Sequence, residues 1–169
     1  HIGSKKVLIA GATGFTGFHL ISQFLQHKDK YSITIFARDY EKAVKLGFKN
    51  EGIDIFKGDF EYPNSLKEAL KGQDVFICAA SLGFGHAPRI IETCKYADIQ
   101  RAVFISTMSI YTSLNVKSKK IRVDAEKAIK DSGLDWTIIR PTMIFGALGD
   151  RNIEKLIRYI KRWPAIAVP

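Results

Sequence analysis

The chain alternates short apolar runs with longer segments in which apolar residues recur every three or four positions. Six runs are almost wholly apolar and rich in β-branched side chains: 7–10, 33–37, 53–56, 75–79, 102–105 and 136–139. Runs without regular polar alternation indicate strands buried on both faces, as in a parallel sheet covered by helices. Segments of helical period predict helices at 15–27, 64–70, 88–97 and 123–132. Strand and helix therefore alternate, and right-handed crossovers predict an α/β fold with a doubly wound parallel sheet and helices on both faces.

The last part of the chain departs from this rhythm. After Pro141 the alternation is lost, and 152–162 has the pattern of one amphipathic helix. Residues 163–169 are apolar and begin another element, so we expect a truncated protein. The first four residues, 1–4, lack the basic and apolar regions of a signal peptide and are interpreted as a cloning remnant.

Composition narrows the class of protein. With 169 residues, 46% hydrophobic and 25% charged, the chain is predicted to be one soluble globular domain. No apolar run approaches the ~20 residues of a membrane span, so no membrane partner is expected. Cys78 and Cys94 form no Cys-x-x-Cys pair, which favours buried, reduced thiols in a cytoplasmic protein.

The net charge of +9 suggests an anionic partner. Basic residues are densest at 117–122 and 151–162, but neither stretch carries base-stacking aromatics or a recognition-helix pattern. No nucleic-acid partner is therefore expected, and a solvated basic face or attraction of a small anionic ligand are the two interpretations. His19, His27 and His86 have no metal-ligand spacing with cysteines or carboxylates, so no metal site is predicted.

A glycine-rich loop joins the first predicted strand to the first predicted helix. Gly11 suits a tight turn out of the strand, Gly14 lets the backbone approach a pyrophosphate, and Gly17 lets the helix pack closely on the strand. The start of the helix then offers unpaired N–H groups and partial positive charge to phosphates. A glycine turn needed only for packing is the alternative. No Lys-Ser or Lys-Thr follows the loop, which disfavours a P-loop nucleoside triphosphatase.

The spacing of this loop resembles that of the short-chain dehydrogenase/reductase superfamily. The three glycines are separated by two residues each, with Thr13, Phe15 and Thr16 between them. The resemblance implies a Rossmann-type dinucleotide-binding domain. It implies that the loop binds the cofactor through Gly11, Thr13, Gly14, Phe15, Thr16 and Gly17.

The end of the second predicted strand bears on the choice of cofactor. An NAD-selecting fold has an acid there, which binds the ribose hydroxyls. Ala37 takes that place here, Arg38 follows at once, and Lys42 comes one helical turn later. A guanidinium can bind a 2′-phosphate through two hydrogen bonds, so NADP is favoured over NAD. In the alternative, Arg38 is a solvated residue and Asp39 only an N-cap.

The ends of the later strands carry further candidates. The resemblance implies that Asp59 binds the adenine amino group and that Phe60 packs on the ring. It also implies that small residues follow the fourth strand beside the ribose, and that the segment after the sixth strand lies against the nicotinamide. Hydroxyl groups after the fifth strand lie at the carboxyl edge, where ligands bind in such sheets. The predicted cofactor-binding residues in these segments are Ala79, Ala80, Ser81, Ser106, Thr107, Pro141, Thr142 and Met143.

The catalytic Tyr-x-x-x-Lys pair of the superfamily is missing. Alignment on Ala125-Glu126 puts Ser118 at the Tyr position and Arg122 at the Lys position. A serine hydroxyl has too high a pKa to replace the phenol as an acid or base. Tyr111 has Asn115, not Lys, four residues later. The catalytic residue is therefore unknown, and the candidates are Thr107, Ser109, Ser118 and Arg122.

Loss of the pair points to the atypical and extended branch of the superfamily. The runs 133–142 and 149–153 are typical of NmrA-like, isoflavone-reductase-like, biliverdin-reductase-like and epimerase/dehydratase-like NAD(P)-binding proteins. The resemblance implies an NAD(P)-binding Rossmann domain over 5–169, in which 149–169 begins a truncated substrate lobe that is largely absent.

The resemblance leaves two functions open. One is an NADP-dependent oxidoreductase or sugar-nucleotide epimerase-like protein that acts on an unidentified small molecule. The other is a non-catalytic NAD(P)-sensing regulator. Related folds often pair through the helices after the fourth and fifth strands, so a homodimer is a further expectation. His86 is expected to stabilise its loop or cap a helix, with substrate contact as the alternative.

Overall fold

A computed structural model describes residues 3–111, 117–142, 144–146 and 153–163. Within them lies one sheet of six parallel strands in the order β3-β2-β1-β4-β5-β6. The strands are β1 (Lys5–Ala10), β2 (Tyr31–Ala37), β3 (Asp54–Lys57), β4 (Val75–Cys78), β5 (Arg101–Ile105) and β6 (Trp136–Ile139). The predicted Rossmann-type fold is confirmed, and each predicted run forms a strand.

Helices connect the strands. They are α1 (Phe15–Phe24), α2 (Tyr40–Lys45), α3 (Pro63–Leu70), α4 (Ala87–Tyr96), α5 (Lys117–Lys130) and α6 (Ile153–Arg162). Short 3₁₀ turns lie at Leu25–His27, Phe48–Glu51, Leu82–Phe84 and Met108–Tyr111. No helix among the described residues is both long and apolar enough to cross a bilayer.

The sheet has buried side chains on both of its faces. In β1, Leu8 and Ala10 belong to one core cluster, while Val7 and Ile9 belong to the other. The first cluster includes residues of α3, α4 and α5, and the second includes residues of α1 and α2. This arrangement explains why β1 is apolar on both sides, since helices exclude water from each face.

Two helix starts differ from the sequence prediction. The helix predicted from residue 64 is α3, but Pro63 occupies its first turn and Tyr62 the N-cap position, without a side-chain cap. Proline suits that place because its missing N–H would have no partner there. The Ser65 hydroxyl instead donates to the Tyr62 carbonyl at 2.7 Å. Helix α5 begins at residue 117 rather than 123, since its lysine-rich first turns show no apolar period.

The amphipathic pattern of 153–162 does form a helix, and none of its residues is buried. Its apolar side chains, such as Leu156, Ile157 and Ile160, are each about half exposed. Residues 147–152 and 164–169, which hold nearly half of the predicted start of a substrate lobe, lie outside the described residues.

The strand order creates a crevice beside β1. Successive strands run outward from β1 through β2 to β3, and in the other direction through β4 and β5 to β6. The Ala79 N–H, just after β4, donates to the Ala10 carbonyl at 2.8 Å, so the two strand ends lie side by side. Open α/β sheets bind ligands at such a switch in direction, outside the carboxyl ends of the strands.

Candidate functional site

At two of the three glycines of the loop, other backbone atoms lie so close that no side chain would fit. An alanine at Gly11, where φ is +81°, would put its Cβ 2.4 Å from the Ala80 nitrogen. At Gly17 an added Cβ would lie 2.2 Å from the Gly11 carbonyl oxygen. At Gly14 the nearest atom would be 3.3 Å away, and Gly14 has extended backbone at the N-cap of α1. The contacts at the first and third glycines fit the turn and packing roles expected of them, whereas the phosphate-binding role of Gly14 stays a prediction.

The first of two cavities in the crevice, called here the Arg38 cavity, has a volume of about 330 Å³. Of the predicted residues, it brings together Gly11, Thr13, Arg38, Lys42, Asp59, Phe60, Ala80 and Ser81. It also contains residues that the sequence did not single out as binding residues: Ala10, Phe36, Ala37, Asp39, Gly58, Phe84 and His86. The ends of β1, β2, β3 and β4 thus supply the walls of one cavity.

The charges of the Arg38 cavity are arranged so that two cations remain available. The Asp39 carboxylate accepts the Lys42 N–H at 2.9 Å and caps α2, as the alternative interpretation expected. Arg38 is 83% exposed, and its Nε lies 4.0 Å from the Asp59 carboxylate. Such an exposed pair contributes little to stability, so it holds the guanidinium only weakly. Arg38 and Lys42 can therefore both turn toward an anion in the cavity.

Aromatic rings form another wall of the Arg38 cavity. Phe36 stacks on Phe60 with ring centroids 5.3 Å apart, and Phe60 contacts His86 at 5.8 Å. His86 occupies the N-cap position of α4, as one expectation had it; its carbonyl accepts the Ile90 N–H at 3.0 Å, while its side chain forms no cap. Its Nε2 lies 3.6 Å from a Glu61 carboxylate oxygen, and its ring lines the cavity. The only sequence signal for this role was its place in the loop after the fourth strand.

The second cavity, called here the Arg122 cavity, has a volume of about 260 Å³. Its lining comprises Thr16, Ala79, Ala80, Ser81, Leu82, Ile105, Ser106, Thr107, Ser109, Arg122, Pro141, Thr142 and Ile144. Ala80 and Ser81 line both cavities, which are therefore neighbouring halves of one crevice.

Several predicted site residues lie elsewhere. Gly14, Gly17 and Ser118 line neither cavity, and Phe15 lines a separate depression with His19. Met143 lies outside the described residues. Of the two residues at the positions of the missing pair, only Arg122 faces the crevice.

The Arg122 cavity is rich in hydroxyl groups. Thr107 Oγ1 accepts the Ser109 N–H at 3.2 Å, which fixes the turn after β5. Among the residues that the structure describes, none of those lining this cavity is a Tyr, His, Cys, Asp or Glu. Tyr111 is exposed and is not a lining residue; its ring lies 5.9 Å from the Arg140 guanidinium carbon. Within the described part of the chain, no lining side chain of this cavity has an ordinary pKa near neutrality.

A buried ion pair between Arg140 and Glu126 lies beside this cavity. Arg140 donates three hydrogen bonds of 2.6–3.0 Å to the Glu126 carboxylate, whose side chain is only 4% exposed. Burial works against ionisation of Glu126, but the hydrogen bonds from Arg140, the nearby Ser106 hydroxyl and the charges of Arg140 and Lys130 together outweigh it and keep the pKa of Glu126 below its ordinary value. The pair ties α5 to the end of β6, next to Pro141. No pattern in the sequence indicates this pair, because the two residues meet only when the helix packs on the sheet.

The hydroxyl of Ser106 lies close to this pair. Its oxygen is buried and has no hydrogen-bond partner of good geometry among the described residues, although it is near enough to the Glu126 carboxylate to help lower the pKa of Glu126. Ser106 therefore connects the ion pair to the lining of the Arg122 cavity.

Fold and site together define a Rossmann-type protein with a dinucleotide-sized crevice at the switch point of its sheet. The sequence model of a family described as NAD(P)H-binding matches residues 11–155. The chain belongs to this NAD(P)H-binding family.

Relatives of the chain come from the same wider group. An uncharacterized chloroplastic protein of Arabidopsis thaliana is 29% identical, over 83% of this chain and 59% of its own length. A decarboxylating sterol-4-alpha-carboxylate 3-dehydrogenase of Bos taurus is 25% identical, over 94% of this chain and 52% of its own length. The chain thus spans little more than half the length of these curated relatives.

A solved structure shows the same fold. An NADPH-dependent quinone oxidoreductase of Escherichia coli in complex with NADPH has a TM-score of 0.75 and 22% sequence identity. The match covers 92% of this chain and 54% of that one. The predicted NAD(P)-binding domain is therefore confirmed, and its relatives include dehydrogenases and reductases of the kind that the sequence resembled.

Proposed function

We propose that the crevice binds NADP, with the adenosine half in the Arg38 cavity and the nicotinamide half in the Arg122 cavity. The chain is then the cofactor-binding part of an NADP-dependent oxidoreductase or epimerase-like enzyme that lacks the Tyr-Lys pair. The observation that carries the proposal is Arg38, an exposed guanidinium at the end of β2 where an NAD-selecting acid would stand. Nothing in the fold or the relatives favours the non-catalytic sensor.

The loop fits the phosphates of a dinucleotide. An added Cβ would meet backbone at Gly11 and Gly17 but only one atom, at 3.3 Å, at Gly14, so this middle glycine leaves room for a ligand. The start of α1 lacks any acid in its first turn and has no side-chain cap. Its N–H groups are therefore free to bind phosphate oxygens, and no carboxylate opposes the helix dipole.

The walls of the Arg38 cavity fit an adenosine 2′-phosphate. Arg38 and Lys42 supply two cations, while Asp39 is engaged in capping α2 and competes little for them. Asp59 is positioned to accept from the adenine amino group, and the rings of Phe60 and His86 offer an apolar surface. Cations beside an aromatic surface favour a ligand in which a base is attached to a phosphorylated ribose.

In the Arg122 cavity, the chain positions reactants and excludes water. Ala79, Ala80 and Pro141 give the crevice small or rigid walls beside the hydroxyls of Ser106 and Thr107. The cofactor, when bound, supplies hydride-transfer chemistry. None of the described lining residues is suited to protonate a substrate near neutral pH, so the proton comes from water or from a group outside the described residues.

The proposal is tested by titrating the protein with NADPH and, separately, NADH while following nicotinamide fluorescence. Charged hydrogen bonds contribute about 1.5–3 kcal/mol, so Arg38→Ala should weaken NADPH binding about 10- to 100-fold and leave NADH binding unchanged. Lys45→Ala, which removes an exposed cation of α2 that does not line the cavity, is the matched control. Tighter binding of NADH than NADPH by the unaltered protein would contradict the choice of NADP.

Three expectations from the sequence stay predictions. They are the assignment of 149–169 to a substrate lobe within a 5–169 domain, the cytoplasmic location and the homodimer. Both cysteines are buried and free, as expected.

A further inference from the structure

We propose that Arg122 binds an oxyanion of the substrate, so that the enzyme acts on small molecules that carry a carboxylate or a comparable anionic group. The inference rests on the proposed function, because it assigns a substrate class to the nicotinamide half of the same crevice. Arg122 contributes the only charged side chain among the described lining residues of its cavity. A cavity of about 260 Å³ has room for a small molecule beside one guanidinium.

The first argument is that Arg122 is unpaired. No hydrogen bond or ion pair joins it to another described residue, although its side chain is partly buried. Glu126 lies one helical turn further along α5, the spacing at which an Arg and a Glu pair on a helix. The Glu126 carboxylate is instead taken by Arg140 at 2.6 Å, with Lys130 at 3.9 Å. The protein thus neutralises its buried acid with a different arginine and leaves Arg122 unneutralised.

The second argument is that the guanidinium is held in a defined orientation. A Cβ built on Gly83 would lie 3.1 Å from Cζ, 3.1 Å from one Nη and 3.3 Å from Nε of Arg122. A point at equal distances from these three atoms lies above the guanidinium plane, so Arg122 stacks face-on against Gly83. Its N–H groups, which point outward in the plane, keep their donors for another partner. A planar fork with free N–H groups suits the two oxygens of a carboxylate.

The third argument concerns the surroundings. Ser109 and Thr142 add hydroxyl groups to the same cavity, and its described lining contains no carboxylate that would repel an anion. A charge that is partly removed from water without a partner is costly to the folded protein. An anionic ligand relieves this cost, and in such a setting the attraction is stronger than on an open surface.

The test uses ¹⁹F NMR with trifluoroacetate as the carboxylate and trifluoroacetamide as its uncharged counterpart. In the presence of saturating NADP, trifluoroacetate should bind with a dissociation constant on the order of 1 mM, and trifluoroacetamide should not bind detectably. Arg122→Gln should weaken trifluoroacetate binding about tenfold, since a charged hydrogen bond contributes about 1.5 kcal/mol. Lys127→Gln, on an exposed position of the same helix, should leave binding unchanged.

A second variant checks the orientation of the guanidinium. Gly83 has no positive φ, so alanine is compatible with its backbone, and Gly83→Ala should displace the guanidinium and weaken trifluoroacetate binding. Circular dichroism of each variant establishes that it is folded, and Arg122→Lys should retain part of the binding because it retains the charge.

The outcomes separate this inference from the proposed function. Equal binding of the two fluorinated compounds, or no effect of Arg122→Gln, would overturn the inference. If NADP displaces trifluoroacetate, the partner of Arg122 is a phosphate of the cofactor and the substrate assignment is wrong. NADPH titration of the same samples tests the proposed function by itself: loss of NADPH binding with retained, Arg122-dependent trifluoroacetate binding would refute only the cofactor proposal.

Discussion

The ion pair behind the Arg122 cavity leads to a quantitative prediction. Arg140→Gln removes three hydrogen bonds from a carboxylate that is 4% exposed and leaves only Lys130, at 3.9 Å, to oppose its charge. Removing one partner of a fully buried pair costs about 3–5 kcal/mol. Because Arg140 is 25% exposed and Lys130 is nearby, we expect a loss of about 2–3 kcal/mol in the free energy of unfolding at pH 7.

The pH dependence of this loss has a definite sign. In the unaltered protein the pKa of Glu126 lies below its usual value near 4.5. Its pair therefore stabilises the fold above that value, and the stabilisation is lost as pH falls through the lower folded-state pKa. In Arg140→Gln only Lys130 and Ser106 remain to oppose the burial of Glu126, so its pKa rises and protonation relieves the buried charge. The difference in stability between the two proteins should consequently shrink as pH falls from 7 toward 4.

Urea denaturation followed by tryptophan fluorescence measures this difference, since Trp136 lies on β6, the strand that Arg140 follows. The double variant Glu126→Gln/Arg140→Gln removes both charges and should be more stable at pH 7 than Arg140→Gln alone. A loss below about 0.5 kcal/mol, the scale of ordinary surface substitutions, would refute the reasoning. So would a loss that is the same at pH 7 and pH 4.5.

Two further predictions concern buried parts of the core. Burial raises the pKa of the Cys78 and Cys94 thiols to about 12. Neither thiol should therefore react with a disulfide reagent at pH 8 until denaturant is added. Rapid reaction of the native protein would contradict this packing. Gly17→Ala would put a Cβ against backbone of the glycine loop that cannot retreat, and should lower the free energy of unfolding by about 3 kcal/mol in the same urea assay. Gly3→Ala, where nothing lies within 4 Å, is its control and should change stability little.

The sequence predicted the fold well because the sheet is covered on both faces. Strands such as β1 and β4 are short apolar runs, and such a run can be recognised without knowing which distant residues pack on it. The glycine loop was equally predictable, since Gly11 has a positive φ and Gly17 packs against the backbone of Gly11, and both requirements are local. Arg38 could be predicted as a cofactor-binding residue because it comes one residue after the end of β2.

Other features depend on contacts that no local pattern records. The start of α5 was missed because its first turns face solvent and carry lysines without apolar spacing. His86 was expected in a loop, but its meeting with Phe60 depends on how the ends of β3 and β4 are placed in the sheet. The pairing of Arg140 with Glu126 rather than of Arg122 with Glu126 depends on how α5 packs, and helical spacing alone favours the wrong partner.

The strand order also determines which parts of the chain form the crevice. The segment from β1 through α3 carries the glycine loop, Arg38 and Asp59, while Arg122 belongs to the segment that begins at β4. The two segments join at an exposed turn around Gly72, and their strands pair from Val7 opposite Val75 onward. A protein divided at this turn would hold half of a binding site in each fragment. A dinucleotide that binds only the assembled halves would then favour their complementation, which would make the fold a ligand-dependent split reporter.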